Sequence, residues 1–207
     1  MNFVPNDVYH VYNQGNNKQI FFCDEDYLIF LRMTRKLILP NAEIVAYCLM
    51  PNHFHFMIAA DERVSILMKQ GALLIDPLTN GFRKLLSGYT RTTNTKYNRT
   101  GSLFRQKTKA NNLSEIKIIA ASDNIQDYYL TCFNYIHSNP AKAAIVAAPE
   151  DWEYSSYKDY LELRRGTLCN KVLGRSLCNL SAKDFIAKGT SGIDEGLKNV
   201  IFGKDHI

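Results

Sequence analysis

Along the first third of the chain the spacing of apolar and polar residues changes period repeatedly. "VYHVYNQG" (8–15) alternates and runs into the Asn/Gly-rich "NQGNNKQ", which predicts a strand and then a loop. From 24 to 39 the period lengthens. Tyr27, Phe30, Leu31, Thr34 and Leu37 fall on helical spacing behind an acidic opening, and Pro40-Asn41 stops the helix. "EIVAYCLM" (43–50) and "HFHFMIAA" (53–60) are two further strands, separated by Pro51-Asn52, a pair that favours a turn or bulge between paired strands. Residues 63–72 read as a helix start, "DPLTNG" as a break, 81–97 as a long basic helix, and "GSLFRQKTKA" (101–110) as a fourth strand or extended segment.

The resulting order, β-α-β-β-α-β, predicts an α+β, ferredoxin-like fold: an antiparallel sheet with helices on one face. Helical spacing resumes over 125–138, and 152–164 reads as a turn into a short helix. The tail from about 166 is mixed, with signals for two short helices.

Composition narrows the class. With 207 residues, 46% apolar and 22% charged, the chain can bury a core without staples. Cys23, Cys48, Cys132, Cys169 and Cys178 are odd in number, widely spaced and without a C-x-x-C, which argues against a disulfide framework or a structural zinc site. A reducing cytoplasm is the expected setting. The N-terminus has no signal-peptide pattern, and no apolar run approaches the roughly 18 residues that span a membrane.

The net charge of +5 matters less than its placement. Between 81 and 117 stand Arg83, Lys84, Arg91, Lys96, Arg99, Arg105, Lys107, Lys109 and Lys117 against one acid, Glu115, with Phe82, Tyr89, Tyr97 and Phe104 interleaved. Such a segment suits a polyanion with stackable bases, although a solvated basic helix has the same look.

Candidate chemistry starts at His53 and His55. In a strand these project from one face while Phe54 and Phe56 pack on the other. Two adjacent imidazoles can be a hydrogen-bonded pair, or they can fill two positions around a metal. A metal needs a further polar group, and His10, His137 and the amides or carboxylates around 125–140 are the candidates. Tyr135 and Asn139 share a helix face four residues apart. Asn139 precedes Pro140, where it can equally cap a helix end, and Tyr135 can equally be a packed aromatic. Taken together the four describe a reaction: a phenol beside a divalent cation can attack a phosphodiester and form a phosphotyrosine.

The motifs as they stand resemble a known family. "MPNHFHFMI" resembles the His-hydrophobic-His (HUH) motif of single-tyrosine transposases. "NYIHSNPAKAAIV" followed by "PEDWEYSSYKDYL" is similar to the signature of their REP-associated branch (RAYTs), and "YHVYNQGNN", "IFFCDEDYLIFL" and "GSLFRQKTKA" match in the same order, over roughly residues 5–160.

The resemblance implies an HUH endonuclease and strand-transfer domain over 1–165, nucleophile helix included, with 166–207 an extension of undefined role. It implies single-stranded or hairpin DNA as partner, a monomer or homodimer, and a bacterial cytoplasmic, nucleoid-associated setting without a membrane. His53 and His55 would hold Mg²⁺ or Mn²⁺ and Tyr135 would be the nucleophile. Asn139, where insertion-sequence relatives usually have Gln, would be the third ligand. Arg83, Lys84, Arg91, Arg99, Arg105, Lys107 and Lys109 would hold DNA. Cleavage would leave a 5′-phosphotyrosine and a free 3′-OH without ATP. The connection 111–130 is longer than the family's, and Tyr128 and Tyr129 lack an amide four residues on. Two other readings share the fold: a domesticated DNA-binding protein without transposition, and a water-using nuclease in which Tyr135 is structural.

Overall fold

A computed structural model describes residues 1–17, 19–115 and 125–180 of the chain, with side chains of the last stretch from 128. The expected alternation builds an antiparallel sheet of four strands: β1 (Val8–Gln14), β2 (Ala42–Met50), β3 (His53–Ala60) and β6 (Lys109–Asn112), in the order β2-β3-β1-β6. Pro51-Asn52 is the two-residue turn of the β2–β3 hairpin, whose last pair is Met50 opposite His53. Helix α1 (Asp24–Leu37) joins β1 to β2, and α2 (Pro77–Lys96) joins β3 to β6, so the strand and helix order is the ferredoxin-like one.

Both helices lie on one face of the sheet, over an aromatic core. Phe30 packs against Phe54 and Tyr89 with ring centroids 5.4 and 5.0 Å apart, and Phe56, Phe82 and Phe104 close the cluster. Such ring pairs add to the burial of their large apolar areas. Asp26 fixes the ends of the layer. Its carboxylate accepts from the Phe22 N–H at 2.9 Å and binds Lys96 of α2 at 2.9 Å. Helix α3 (Ile125–Lys142) covers the opposite face, against Val8, Cys48 and Met57.

Three local expectations are corrected. The helix start read over 63–72 is a single 3₁₀ turn, Glu62–Ser65, followed by a separate ribbon of β4 (Met68–Gln70) and β5 (Leu73–Ile75). The ribbon reverses at Gly71, whose φ of +61° glycine adopts without the penalty of a Cβ. "DPLTNG" is the first turn of α2 and not a break. Asp76 caps the helix, accepting from the Thr79 N–H at 2.7 Å, and Pro77 takes the first helical position, where its missing N–H costs nothing. Finally, α3 runs past Pro140 to Lys142. The Ala143 and Ile145 N–H groups close onto the Asn139 and Pro140 carbonyls at 2.9 and 3.0 Å, and the chain turns at Ala144 with φ +54°.

The segment after α3 seals the free edge of β2. Tyr154 accepts from the Leu49 N–H at 2.9 Å and the Ser156 N–H donates to Tyr47 at 3.0 Å, so 154–156 run as a short added strand. Helix α4 (Tyr157–Tyr160) follows. Of the expected extension, residues 166–180 include α5 (Lys171–Leu177) and bury Leu168, Cys178 and Leu180 against the same body. Residues 181–207, and 116–124 of the long connection, lie outside the described residues. All five cysteines are free. Among the described residues no helix is long and apolar enough to cross a membrane.

Candidate active site and basic groove

Strand alternation places His53 and His55 on the α3 face, where β1 contributes His10 and Tyr12. Gln14 stands directly opposite His53, and Tyr12 opposite His55. All three histidines are buried. The ring nitrogens are used unevenly. His53 Nδ1 lies 2.6 Å from the Asn52 amide oxygen, and His55 Nδ1 lies 2.9 Å from His10 Nε2. His53 Nε2 and His55 Nε2 are buried without a hydrogen-bond partner. An Asn oxygen at Nδ1 keeps the proton there, so the lone pair of His53 is on Nε2.

Burial also fixes the charge of the pair. His53 is depressed to about 4 by loss of solvent, and His55 is driven well below the usual range by burial and by the neighbouring His53 and His10. At neutral pH both are neutral imidazoles, the form that binds a metal. Two orphaned nitrogens held in place by their ring partners fit the donor set of a metal site. Among the described residues no group of three His, Cys, Asp or Glu could hold an ion, so a third ligand drawn from these residues would be of another type.

Tyr135 comes down from α3 on His55 and His10. Its ring centroid lies 5.5 Å from His55 and 6.1 Å from His10, edge-on to both. Burial pushes its phenol up to about 12, partly offset by a hydrogen bond from the Asn139 side chain. Asn139 also donates through Nδ2 to the Tyr135 carbonyl at 2.9 Å, so the two are coupled one helical turn apart. His137 is placed elsewhere: fully buried, with Nε2 2.7 Å from Ser156 Oγ, it holds α3 to the β2 edge. Tyr128 is buried in the core, and the Tyr129 hydroxyl pairs with Ser114 at 3.0 Å.

The cations gather beside the other edge of the sheet. A groove of about 790 Å³ runs between α2 and residues 102–111, lined by Arg83, Arg105, Lys107 and Lys109. A second concavity of about 570 Å³ continues along α2, lined by Arg91 and Arg99. Arg99 is half-buried, its guanidinium 5.3 Å from the centre of the Phe22 ring. Lys84 is exposed on α2 but lines neither, and Lys96 is engaged by Glu25 and Asp26. The groove reaches the histidine face through β6, where Lys109 is opposite Tyr12 and Asn111 opposite His10.

The pattern of β1 carries a signal that motif reading alone misses: His10, Tyr12 and Gln14 share one face by simple alternation. Asn52 and Asn111 were not legible in this way. Their proximity to His53 and Tyr12 depends on the hairpin turn and on the β1–β6 register.

No family model and no curated protein matches the sequence. Among solved structures, the chain is similar to a REP-associated tyrosine transposase bound to a REP hairpin. The TM-score is 0.55 and the identity 16%, covering 77% of this chain and 82% of that one. The chain shares that fold.

Proposed function

We propose that the protein is a DNA-nicking and strand-transferring enzyme of the single-tyrosine transposase type, with Tyr135 as nucleophile. The observation that carries this reading is the pair of buried, unpartnered Nε2 atoms of His53 and His55, with the Tyr135 ring 5.5 Å from that of His55. Two neutral imidazoles side by side on one strand face are in the form that binds a metal. His53, His55 and the side-chain oxygen of Asn139, whose nitrogen is already spent on the Tyr135 carbonyl, would hold Mg²⁺ or Mn²⁺. When bound there, such a cation would polarise the scissile phosphate and lower the cost of ionising a nearby phenol.

The remaining steps belong to the chain. Asn52 and His10 orient the two imidazoles from behind. Tyr135, protonated at rest, loses its proton as its oxygen attacks phosphorus, and the departing 3′ oxygen leaves as a hydroxyl. The 5′-phosphotyrosine conserves the bond energy, and reversal of the attack by a 3′-OH rejoins a strand. Arg83, Arg105, Lys107 and Lys109 would hold the phosphate backbone of single-stranded or hairpin DNA in the groove, where Lys109 is the strand partner of Tyr12. Arg91 and Arg99 would extend that path, with Lys84 at its margin.

Covalent capture tests the reading. Labelled stem-loop and unpaired DNAs are incubated with the protein and Mn²⁺ and run on denaturing gels, for wild type, Tyr135→Phe and His53→Ala. A labelled protein band that both substitutions remove is the expected result. Nicked DNA with no adduct would assign the chemistry to water. Binding without either product would favour a DNA-binding protein that has kept the fold.

A further inference from the structure

The β4–β5 ribbon has no part in the chemistry above, and its composition is unusual for a surface. Neither strand pairs with the main sheet. Ile66, Leu67, Leu73 and Leu74 are exposed to 64, 56, 70 and 69% within nine residues of chain. Leu73 and Leu74 are consecutive in a strand and so point to opposite faces, yet both meet solvent: the ribbon stands clear of the body. An exposed aliphatic cluster of this kind marks an interaction surface.

Its attachment indicates the partner. Val64, at the root, is buried in the core. Gln70, on the ribbon, accepts from Arg83 Nη2 at 2.7 Å, and Arg83 lines the basic groove. Lys69 is exposed on the ribbon itself, opposite Leu74. The aliphatic tip is therefore continuous with a cationic track. A hydrophobic protein partner would not need that track, whereas a nucleic acid uses both: phosphates take the cations, and aliphatic side chains press between or against bases at an opened step.

We infer that the β4–β5 ribbon is a DNA wedge, with Leu73 and Leu74 packing on the terminal base pair where a stem gives way to unpaired strand, while Arg83 and its neighbours hold the flanking phosphates. The inference rests on the DNA-binding part of the reading above, and not on its catalytic part. It assigns to the ribbon the distinction between a stem–strand junction and plain single strand.

The test uses the full-length chain and the double variant Leu73→Ser/Leu74→Ser. Both side chains are exposed, so an unchanged melting temperature is expected and checks folding. The probes are a stem-loop DNA with an unpaired flank, carrying 2-aminopurine at the junction, and an unpaired strand of the same composition. Wild type should raise the 2-aminopurine fluorescence, and the variant should lose that rise. It should also bind the stem-loop about tenfold more weakly, as expected for a lost wedge contact, with binding to the unpaired strand unchanged. Equal fluorescence and equal affinity for both proteins would overturn the wedge while leaving DNA binding intact. Failure of wild type to bind either DNA would overturn both readings. A concentration-dependent increase in mass that the double variant abolishes, with junction binding unaltered, would reassign the ribbon to a contact between two copies of the chain.

Discussion

The two faces of the central sheet are both buried and are held together by different means. Under α1 and α2, β3 contributes Phe54, Phe56 and Ile58 to a packed aromatic core. Under α3, the intervening residues of the same strand are His53, His55 and Met57, and two imidazole nitrogens there lack partners. One strand thus supplies a packing layer and a chemical layer, separated by the thickness of a backbone. The aromatic face fixes the strand so firmly that the other face can carry groups which cost stability. Polar clamps then hold α3 and the chain after it: His137 to Ser156, and Arg164 to Asp159 through paired bonds of 2.8 and 2.9 Å.

This division predicts unequal sensitivity. The largest loss should follow Phe56→Ala, which opens a cavity among rings of the aromatic face and should cost about 4 kcal/mol in urea unfolding. Metal-dependent behaviour of the surviving folded fraction should be kept. A loss below about 1 kcal/mol would mean that this face collapses easily and does not brace the other. Next comes Asp159→Ala, which leaves the Arg164 guanidinium without its buried carboxylate and should cost ~3 kcal/mol. It should also expose the edge of β2, read as faster amide exchange at Tyr47 and Leu49, which pair with 154–156.

The same contrast explains what could be read from the sequence. Both layers were legible in "HFHFMIAA", because alternation is strict and each layer uses a distinct residue type. The ferredoxin-like order followed from the periods, and so did the helix that carries Tyr135, from the helical spacing over 125–138. The β4–β5 ribbon was hidden because its short apolar runs read equally as helix or strand, and only Gly71 marks the reversal. The start of α2 was misread because Asp76-Pro77 is both a turn signal and a helix-capping signal; tertiary burial of Leu78 and Phe82 decides between them. Asn111 reaches the site through the β1–β6 register and Asn52 through the hairpin turn, and periodicity carries no information about either.

Acid should separate the faces by a smaller margin. In the metal-free protein His53, His55 and His137 are buried neutral, with His53 at about 4 and His137 at about 3, all below the ordinary value. The unfolded chain takes up these protons first, near pH 6.5, so stability should fall as pH drops from there toward about 4. Each group contributes a slope of up to about 1.4 kcal/mol per pH unit. The Asp26 carboxyl on the aromatic face is held below its ordinary value, its bonds to Lys96, Phe22 and Tyr97 outweighing burial. Its contribution is present above the unfolded pKa and is lost only at lower pH. His137→Gln should flatten the slope from about pH 6 down to about 3, the folded-state value of His137, and leave the limb below that unmoved. A slope unaffected by that substitution would place the acid sensitivity in groups other than His137.

The smallest stability effect should come from His53, one of the proposed metal ligands. His53→Leu removes a buried nitrogen that has no hydrogen-bond partner and substitutes apolar volume. The Asn52 amide that loses its ring partner sits half-exposed in the turn, where water can replace it. Leaving a polar atom unsatisfied costs about 1–3 kcal/mol, so the variant should be no less stable than wild type in metal-free buffer. Mn²⁺ should raise the melting temperature of wild type and leave that of His53→Leu unchanged, since a ligand stabilises only the state that binds it. A destabilisation of more than about 2 kcal/mol without metal would show that His53 supports packing as Phe56 does, and the two faces would differ in composition alone. Equal stability with loss of the Mn²⁺ response would show that the imidazole is kept for what it binds.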